Sequence, residues 1–175
     1  MKTVYLLRHA KSSWKDELLD DLERPLGKRG RAAAMAVGLH LAQAGIVPDQ
    51  VLCSSAKRTR ETLEAVQSAA GAALPARFEK GLYLAEAPTL LRRLRRLNDS
   101  LASVMLIGHN PGLEQLALLL TDDAGGDQAA RRRLTAKYPT AALAVIEADL
   151  LRWADLAPST GRLATFIRPR DLPAA

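Results

Sequence analysis

Short apolar runs alternate along this chain with longer segments of helical periodicity, and this alternation restricts the fold more than any other feature. The first run joins Val, Tyr and Leu without polar alternation, which is typical of a buried parallel strand. The predicted strands are Lys2 to Leu7, Val51 to Cys53, Val104 to Ile107, Ala141 to Ile146 and Leu163 to Ile167. The pattern predicts an α/β protein, a three-layer sandwich with a mainly parallel central sheet flanked by helices.

Four helices are predicted between the strands, from apolar spacing and from residues that start or stop helices. They run from Lys28 to Ala44, from a cap at Ser54 or Ser55 to about Ala70, from about Pro88 to Leu97, and from a cap at Asn110 through Pro111 to about Leu120. The stretch from Ala10 to Gly27 is polar and irregular, and Thr121 to Gly126 is a second predicted loop. Loops as long as the first are often functional in compact domains.

The length and composition are those of one globular domain, residues 1–175. Hydrophobic residues make up 48% and charged residues 25% of the 175 residues, outside the range of disordered chains. The N-terminal apolar run is cut by Arg8 and His9, so we expect no signal peptide or membrane span and a cytoplasmic location. Cys53 is the only cysteine, which excludes an internal disulfide and a multi-cysteine metal site.

The net charge of +6 suits an acidic partner, such as nucleic acid, an acidic protein or a phosphorylated substrate. Aromatic residues make up 4% of the chain, which argues against a platform for stacking single-stranded nucleic acid. The predicted helix from Pro88 to Leu97 carries arginines on one side. That side is either a solvated face or a surface that docks an acidic phosphoprotein. The arginines concerned are Arg92, Arg93, Arg95 and Arg96.

Polar side chains follow three of the predicted strands. Arg8 and His9 come after the first, the segment from Ser54 to Arg58 after the second, and His109 after the third. Ligands of α/β sheets bind at the carboxyl ends of the strands, so these residues are expected to converge. Arginine presents a planar fork of donors that matches phosphate, and imidazole can act as a nucleophile. The combination favours phosphoryl transfer over acyl transfer.

These segments resemble the histidine phosphatase superfamily. Leu7-Arg8-His9-Ala10 is similar to its Arg-His-Gly signature, with alanine in the glycine position, and Ser12 and Trp14 have the spacing of the phosphoglycerate mutase-like branch. Ser54 to Thr62 resembles its second-arginine segment and Gly108-His109 its second-histidine motif. Arg24-Pro25-Leu26 with Arg29-Gly30, and Pro169 to Leu172, resemble segments of SixA-type phosphohistidine phosphatases.

The resemblance implies a phosphoglycerate mutase-like fold and a reaction through a phosphohistidine. His9 would attack phosphorus, Arg8, Arg58 and His109 would hold the phosphoryl oxygens, and water would hydrolyse the intermediate. Phosphohistidine in a signalling protein is the expected substrate. No metal or cofactor is expected, because the arginines can supply the positive charge. The oligomeric state is not indicated by the sequence.

Other residues are candidates for substrate binding, and other functions stay open. The candidates are Ser12, Glu86, Thr140 and Asn110. Glu86 is the acid nearest the expected general-acid position, although it could equally cap the following helix. Lys15 stands where the mutase pattern has asparagine, which argues against mutase activity. The alternatives are a broad small-molecule phosphomonoesterase, a metal-dependent phosphoesterase, disfavoured by only three histidines, and a non-catalytic basic binding module.

Overall fold

The structure is a computed structural model, and it describes residues 1–175 apart from the side chains of residues 123 and 124. The described strands are β1 Lys2–Arg8, β2 Gln50–Ser54, β3 Ala76–Glu79, β4 Ser103–Gly108, β5 Thr121–Gly126, β6 Leu143–Ala148 and β7 Gly161–Ile167. They form a central sheet with the strand order β3-β2-β4-β1-β6-β7-β5. Strands β1, β2, β3 and β4 pair in parallel, as do β5 and β7, whereas β6 is antiparallel to both of its neighbours. The prediction of a mainly parallel sheet is confirmed.

Helices cover both faces of this sheet, as the three-layer prediction requires. They are α1 Lys28–Gln43, α2 Lys57–Ala70, α3 Ala87–Leu94, α4 Gly112–Leu120 and α5 Gln128–Ala136. Leu6 packs with α3, α4 and α5 in one apolar core, while its neighbour Leu7 packs with α1 and α2 in the other. Successive strand residues point to opposite faces, so β1 contributes to both cores. Among the described helices, none combines the length and apolarity needed to cross a bilayer.

Several local predictions were wrong. Residues 121–126, predicted as a loop, form the edge strand β5, which pairs irregularly with β7. The edge strand β3 and the helix α5 were not predicted. Neither serine caps α2, which begins after Ala56. Helix α4 begins at Gly112, with Pro111 rather than Asn110 as its N-cap.

The long polar loop between β1 and α1 folds back on itself. The Gly27 amide donates to the Lys11 carbonyl at 2.9 Å, and Ser12 and Leu26 form an antiparallel bridge. The Leu26 amide donates to Glu61 Oε2 on α2 at 2.7 Å. Both ends of the loop are therefore fastened beside the carboxyl end of β1.

Gly30 lets the first turn of α1 touch the chain that follows His9. A Cβ at this position would lie 2.0 Å from the Lys11 carbonyl oxygen and 2.8 Å from its amide nitrogen. No real Cβ tolerates such a distance, so a larger residue would push the loop and the helix apart.

We expect Gly30→Ala to destabilise the protein, although alanine is favoured over glycine in helices by about 1 kcal/mol. Overpacking against backbone should outweigh this gain and lower the free energy of unfolding by about 1 to 3 kcal/mol. The thermal midpoint should fall by several degrees. Gly81→Ala is the control, because nothing lies within 4 Å of a Cβ built there. A thermal midpoint for Gly30→Ala equal to or above that of the wild type would contradict the packing argument.

Candidate active site

The carboxyl ends of β1, β2 and β4 bring the sequence-predicted residues together. Arg8 is the last residue of β1 and pairs with Gly108, the last residue of β4. His9 and His109 follow directly, and their ring centroids lie 5.3 Å apart. Arg58 enters from the first turn of α2, with Nη2 3.4 Å from Nδ1 of His109. The four side chains therefore form one cluster at the carboxyl ends of these strands.

The backbone holds His9 in place on every side. Its amide donates to the Gly108 carbonyl at 3.0 Å, and the Ala141 amide donates to the carbonyls of Arg8 and His9, both at 3.1 Å. The next amide, that of Ala10, donates to Thr62 Oγ1 on α2 at 3.0 Å. Sheet and helix thus fix this histidine jointly.

The protonation state of His9 follows from one hydrogen bond. Nδ1 lies 2.7 Å from the Ala10 carbonyl oxygen, and because a carbonyl only accepts, Nδ1 must carry the proton. Nε2 then keeps its lone pair. Burial is the largest cause that lowers the pKa of His9 to about 4, and the charges of Arg58, Arg8 and Arg24 lower it further. A neutral imidazole with a free Nε2 is the form in which histidine is nucleophilic.

His109 lies between the Ser54 hydroxyl, the Arg58 guanidinium and the Tyr83 ring. Its Nε2 is 2.7 Å from Ser54 Oγ, and the Tyr83 ring meets it edge-on with centroids 5.4 Å apart. Burial first, and then the neighbouring His9 and Arg58, lower the pKa of His109 to about 3. His109 is therefore neutral at physiological pH. A neutral imidazole has one N–H, so His109 can donate to a bound anion from Nδ1 when the Ser54 hydroxyl donates to Nε2.

Ser54 and Tyr83 were not singled out from the sequence as partners of this histidine. Ser54 was predicted as a possible helix cap and as the first residue of the converging segment after the second strand, with no role assigned to its hydroxyl. Its hydroxyl faces His109 instead, because the serine is the last residue of β2 rather than the first of a helix.

The two predicted arginines are partly engaged by the protein itself. Arg8 Nη1 donates to the Tyr138 carbonyl at 2.8 Å. Arg58 donates from Nη1 to the Asp21 carbonyl at 2.6 Å and from Nη2 to Asp21 Oδ2 at 3.0 Å. The Nε atoms of Arg8 and Arg58 are buried and, among the described residues, have no hydrogen-bond partner. Buried N–H groups are rarely left unpaired, so these donors indicate room for an anion.

Asp21 joins the long loop to the cluster, although no motif or spacing in the sequence pointed to it. Its carboxylate accepts from Arg58, Arg24 and the Tyr83 hydroxyl. The Tyr83 hydrogen bond is the largest of the causes that lower the pKa of Asp21. The carboxylate is thus ionised, and it is a poor candidate for a proton donor.

Arg24, in the Arg-Pro-Leu segment, is the second loop residue at the site. It is 8% exposed, and its Cζ lies 3.5 Å from the centroid of the Trp14 ring. The only sequence signal for it was the resemblance of its segment to SixA-type proteins.

A cavity of about 400 Å³ opens at this cluster. Among the described residues its lining carries four basic side chains and no carboxylate. The lining residues are Arg8, His9, Lys11, Ser12, Trp14, Arg24, Lys137, Pro139 and Thr140. Such a lining favours an anionic ligand.

Two of the four predicted substrate-binding residues, Ser12 and Thr140, line this cavity, and the other two lie outside it. The Asn110 amide group donates to Glu114 Oε2 at 3.1 Å and to the Tyr138 carbonyl at 3.3 Å, so it supports the carbonyl that holds Arg8. Glu86 is the exposed N-cap of α3 and makes no side-chain capping bond. Its role as an acid stays a prediction.

The arginines of α3 and the residues after it are largely used within the protein. Arg93 forms a paired hydrogen bond with the Glu79 carboxylate, its shortest distance 2.7 Å, Arg92 donates to Thr89 and Arg95 to the Ala154 carbonyl. This arrangement favours a structural or solvated role over docking. Among the described side chains, no group of three or more histidines, cysteines or acids is arranged to hold a metal ion.

We expect His9 to remain neutral well below the usual histidine range. An exposed imidazole takes up a proton near pH 6.5, whereas His9 should do so near pH 4. Nitrogen-15 NMR of the imidazoles, assigned with a His9→Gln variant, should show a protonated Nδ1 and an unprotonated Nε2 from pH 8 to 5. Protonation of His9 near pH 6.5 would contradict the described environment.

Comparison with known proteins agrees with this geometry. A model of the histidine phosphatase superfamily (branch 1) matches residues 4–83. The uncharacterized protein Rv1276c of Mycobacterium tuberculosis is 37% identical over 165 residues, which are 94% of this chain and 100% of that protein.

Solved structures extend the agreement over the whole fold. The candidate phosphohistidine phosphatase SixA of Agrobacterium tumefaciens is 31% identical, with a TM-score of 0.77 over 96% of this chain and 98% of its own. Its counterpart from Nakamurella multipartitia is 27% identical, with a TM-score of 0.80 over 96% of both chains. The family model matches the segment that contains Arg8 and His9, and the two solved structures match nearly the full length of the chain. The chain therefore belongs to the histidine phosphatase superfamily and to its SixA-type members.

Proposed function

We propose that this phosphatase hydrolyses phosphohistidine in proteins, through a covalent intermediate on Nε2 of His9. The observation that carries the proposal is the hydrogen bond from His9 Nδ1 to the Ala10 carbonyl. It leaves Nε2 free beside a basic cavity that opens at this residue. The relatives named for SixA phosphohistidine phosphatases support the same substrate class.

In the first step, Nε2 of His9 forms a bond to phosphorus while the bond from phosphorus to the leaving nitrogen breaks. The His9 ring becomes cationic as it does so, because both nitrogens are then substituted. The Ala10 carbonyl, which already accepts from Nδ1, stabilises this cation. Arg8, Arg58 and His109 stabilise the charge that spreads over the equatorial phosphoryl oxygens.

In the second step, water attacks phosphorus and the electron pair of the N–P bond returns to Nε2. The proton from water leaves with inorganic phosphate or passes to solvent, and His9 is restored as neutral imidazole. Neither step requires a metal ion in this proposal, since arginines supply the positive charge.

The leaving group distinguishes phosphohistidine from alkyl phosphates. Alkoxide is a poor leaving group that normally needs a proton from a positioned acid. When the other ring nitrogen of phosphohistidine is protonated, cleavage of the N–P bond releases histidine as a neutral imidazole, and no positioned acid is needed. The described cavity lining contains no carboxylate, and Asp21 nearby is held ionised. The site therefore suits phosphohistidine better than serine or sugar phosphates.

We expect His9→Ala to abolish turnover, since it removes the nucleophile. Alanine in place of Arg8, Arg58 or His109 should reduce kcat/KM by about 100- to 1,000-fold, the scale for one donor to a transition-state oxyanion. Steady-state kinetics with phosphoramidate provides the measurement. His40→Ala and Arg96→Ala are controls outside the cavity lining and should retain wild-type rates. A loss below tenfold would remove the residue concerned from the mechanism.

The choice of leaving group gives the next prediction. Phosphohistidine, phosphoramidate and aryl phosphates should turn over far faster than serine or sugar phosphates of equal charge. Glu86→Gln should change the phosphohistidine rate little. Efficient hydrolysis of an alkyl phosphate by the wild type, lost in Glu86→Gln, would instead identify a general phosphomonoesterase with Glu86 as its acid.

Basic residues around the cavity favour an acidic phosphoprotein as the partner. A second cavity of about 290 Å³ adjoins the first and shares Lys137, Pro139 and Thr140 with it. Arg133, Arg168 and Arg170 also line it. Arg168 is paired with Asp171, while Lys137 and Arg170 are exposed.

Charge reversal tests this docking surface. We expect Arg170→Glu, which lies in the second cavity but not in the His9 cavity, to raise KM for a phosphohistidine protein and to change it much less for phosphoramidate. Arg96→Glu, an equal change of charge away from both cavities, should leave both substrates unaffected. Equal effects of Arg170→Glu on the two substrates, or a matching effect of Arg96→Glu, would count against docking at this surface.

A further inference from the structure

Arg24 is buried, yet among the described residues part of its guanidinium has no hydrogen-bond partner. Nη2 donates to Asp21 Oδ1 at 2.8 Å, while Nε and Nη1 are buried and unpartnered among the described residues. The residue is 8% exposed, so water satisfies these donors poorly. A buried charged group with unpaired N–H donors destabilises the fold unless a bound ligand accepts hydrogen bonds from those donors.

Two neighbours fix the guanidinium in position. The Trp14 ring lies against its face, with Cζ 3.5 Å from the ring centroid, and the Asp21 carboxylate holds one end. Trp14 is otherwise largely exposed, at 73%. An exposed aromatic that covers a buried cation suggests a built feature rather than an accidental contact.

Arg24 belongs to the same cavity as the proposed nucleophile. Arg24 lines the cavity together with Arg8 and His9. Arg58, by contrast, is not part of this lining, and both of its terminal nitrogens bond to Asp21. In the described part of the chain Arg24 therefore keeps two unpaired N–H donors, Nε and Nη1, whereas the terminal nitrogens of Arg58 already donate to Asp21.

We propose that Arg24 is a third phosphoryl-binding arginine of this pocket, with Asp21 and Trp14 as the residues that position it. The inference rests on the proposed function, since the phosphoryl group is the anion that the pocket would hold. Nε and Nη1 of Arg24 would donate to the phosphoryl oxygens in addition to the donors of Arg8, Arg58 and His109. The rival role is a purely structural link between Arg24 and Asp21 that closes the loop.

Inorganic phosphate, titrated by calorimetry, is the probe. We expect Arg24→Met, which keeps an apolar stem of similar length, to weaken phosphate binding by about 10- to 100-fold, the scale for hydrogen bonds to a charged group. Arg24→Lys should fall between Arg24→Met and the wild type, because it keeps the charge and loses the fork. Arg96→Met is the matched control and should bind phosphate as the wild type does.

Failure of this inference is distinguishable from failure of the proposed function. Unchanged affinity in folded Arg24→Met, with affinity lost in Arg58→Met, would overturn the role of Arg24 and leave the pocket assignment intact. Unchanged affinity in both variants would overturn the pocket itself.

A measurement on the wild type avoids dependence on how the variants fold. The Nε–H resonance of Arg24 should shift on addition of phosphate, with half of the total shift reached at the dissociation constant that calorimetry gives. A resonance that does not move while phosphate binds would contradict the inference.

Discussion

The parallel pairing of β1 with β4 is the constraint on which the site depends. Its register sets Arg8 opposite Gly108, so the first residues after each strand, His9 and His109, emerge side by side. Parallel strands end at the same edge of a sheet, and loops there are free to carry function. A shift of one residue would turn these side chains to opposite faces and separate them.

Positive charge gathered in a buried space explains most of the chemistry. Burial and the nearby Arg8 and Arg58 lower the pKa values of both His9 and His109, and Arg24 lowers that of His9 as well. Asp21 offsets part of the charge by bonding to two of the arginines. In the part of the chain that the structure describes, the Nε atoms of all three arginines and Nη1 of Arg24 are buried without a hydrogen-bond partner, and a doubly charged phosphoryl group would satisfy such donors. The site is thus arranged for the anion in advance, which is the condition for electrostatic stabilisation of a transition state.

The parts of the site that lie on regular elements were predictable from the sequence. His9 and His109 follow buried strands, and strand ends in α/β sheets converge by topology alone. Arg58 lies in the first turn of a helix, where an anion was expected.

The loop contributions were not predictable in this way. Asp21, Arg24 and Trp14 meet because residues 10–27 fold back across the site through Gly27, Leu26 and Gly30, and no periodicity encodes such a path. Local propensity predicted Ser54 as a helix cap, whereas in the structure it ends β2 and its hydroxyl contacts His109. Strand β5 was missed because its polar, glycine-containing sequence lacks strand propensity and is held by pairing with β7.

A covalent phosphoryl group on His9 is the central claim, and trapping it is the most direct measurement. The wild type, mixed with a phosphohistidine peptide and quenched within milliseconds in alkali, should carry one added phosphoryl group by intact-protein mass spectrometry. Fragmentation should place it on His9, and brief acid treatment should remove it, as is expected of phosphohistidine. Turnover without any phosphorylated protein, or phosphate trapped on a different residue, would contradict the account.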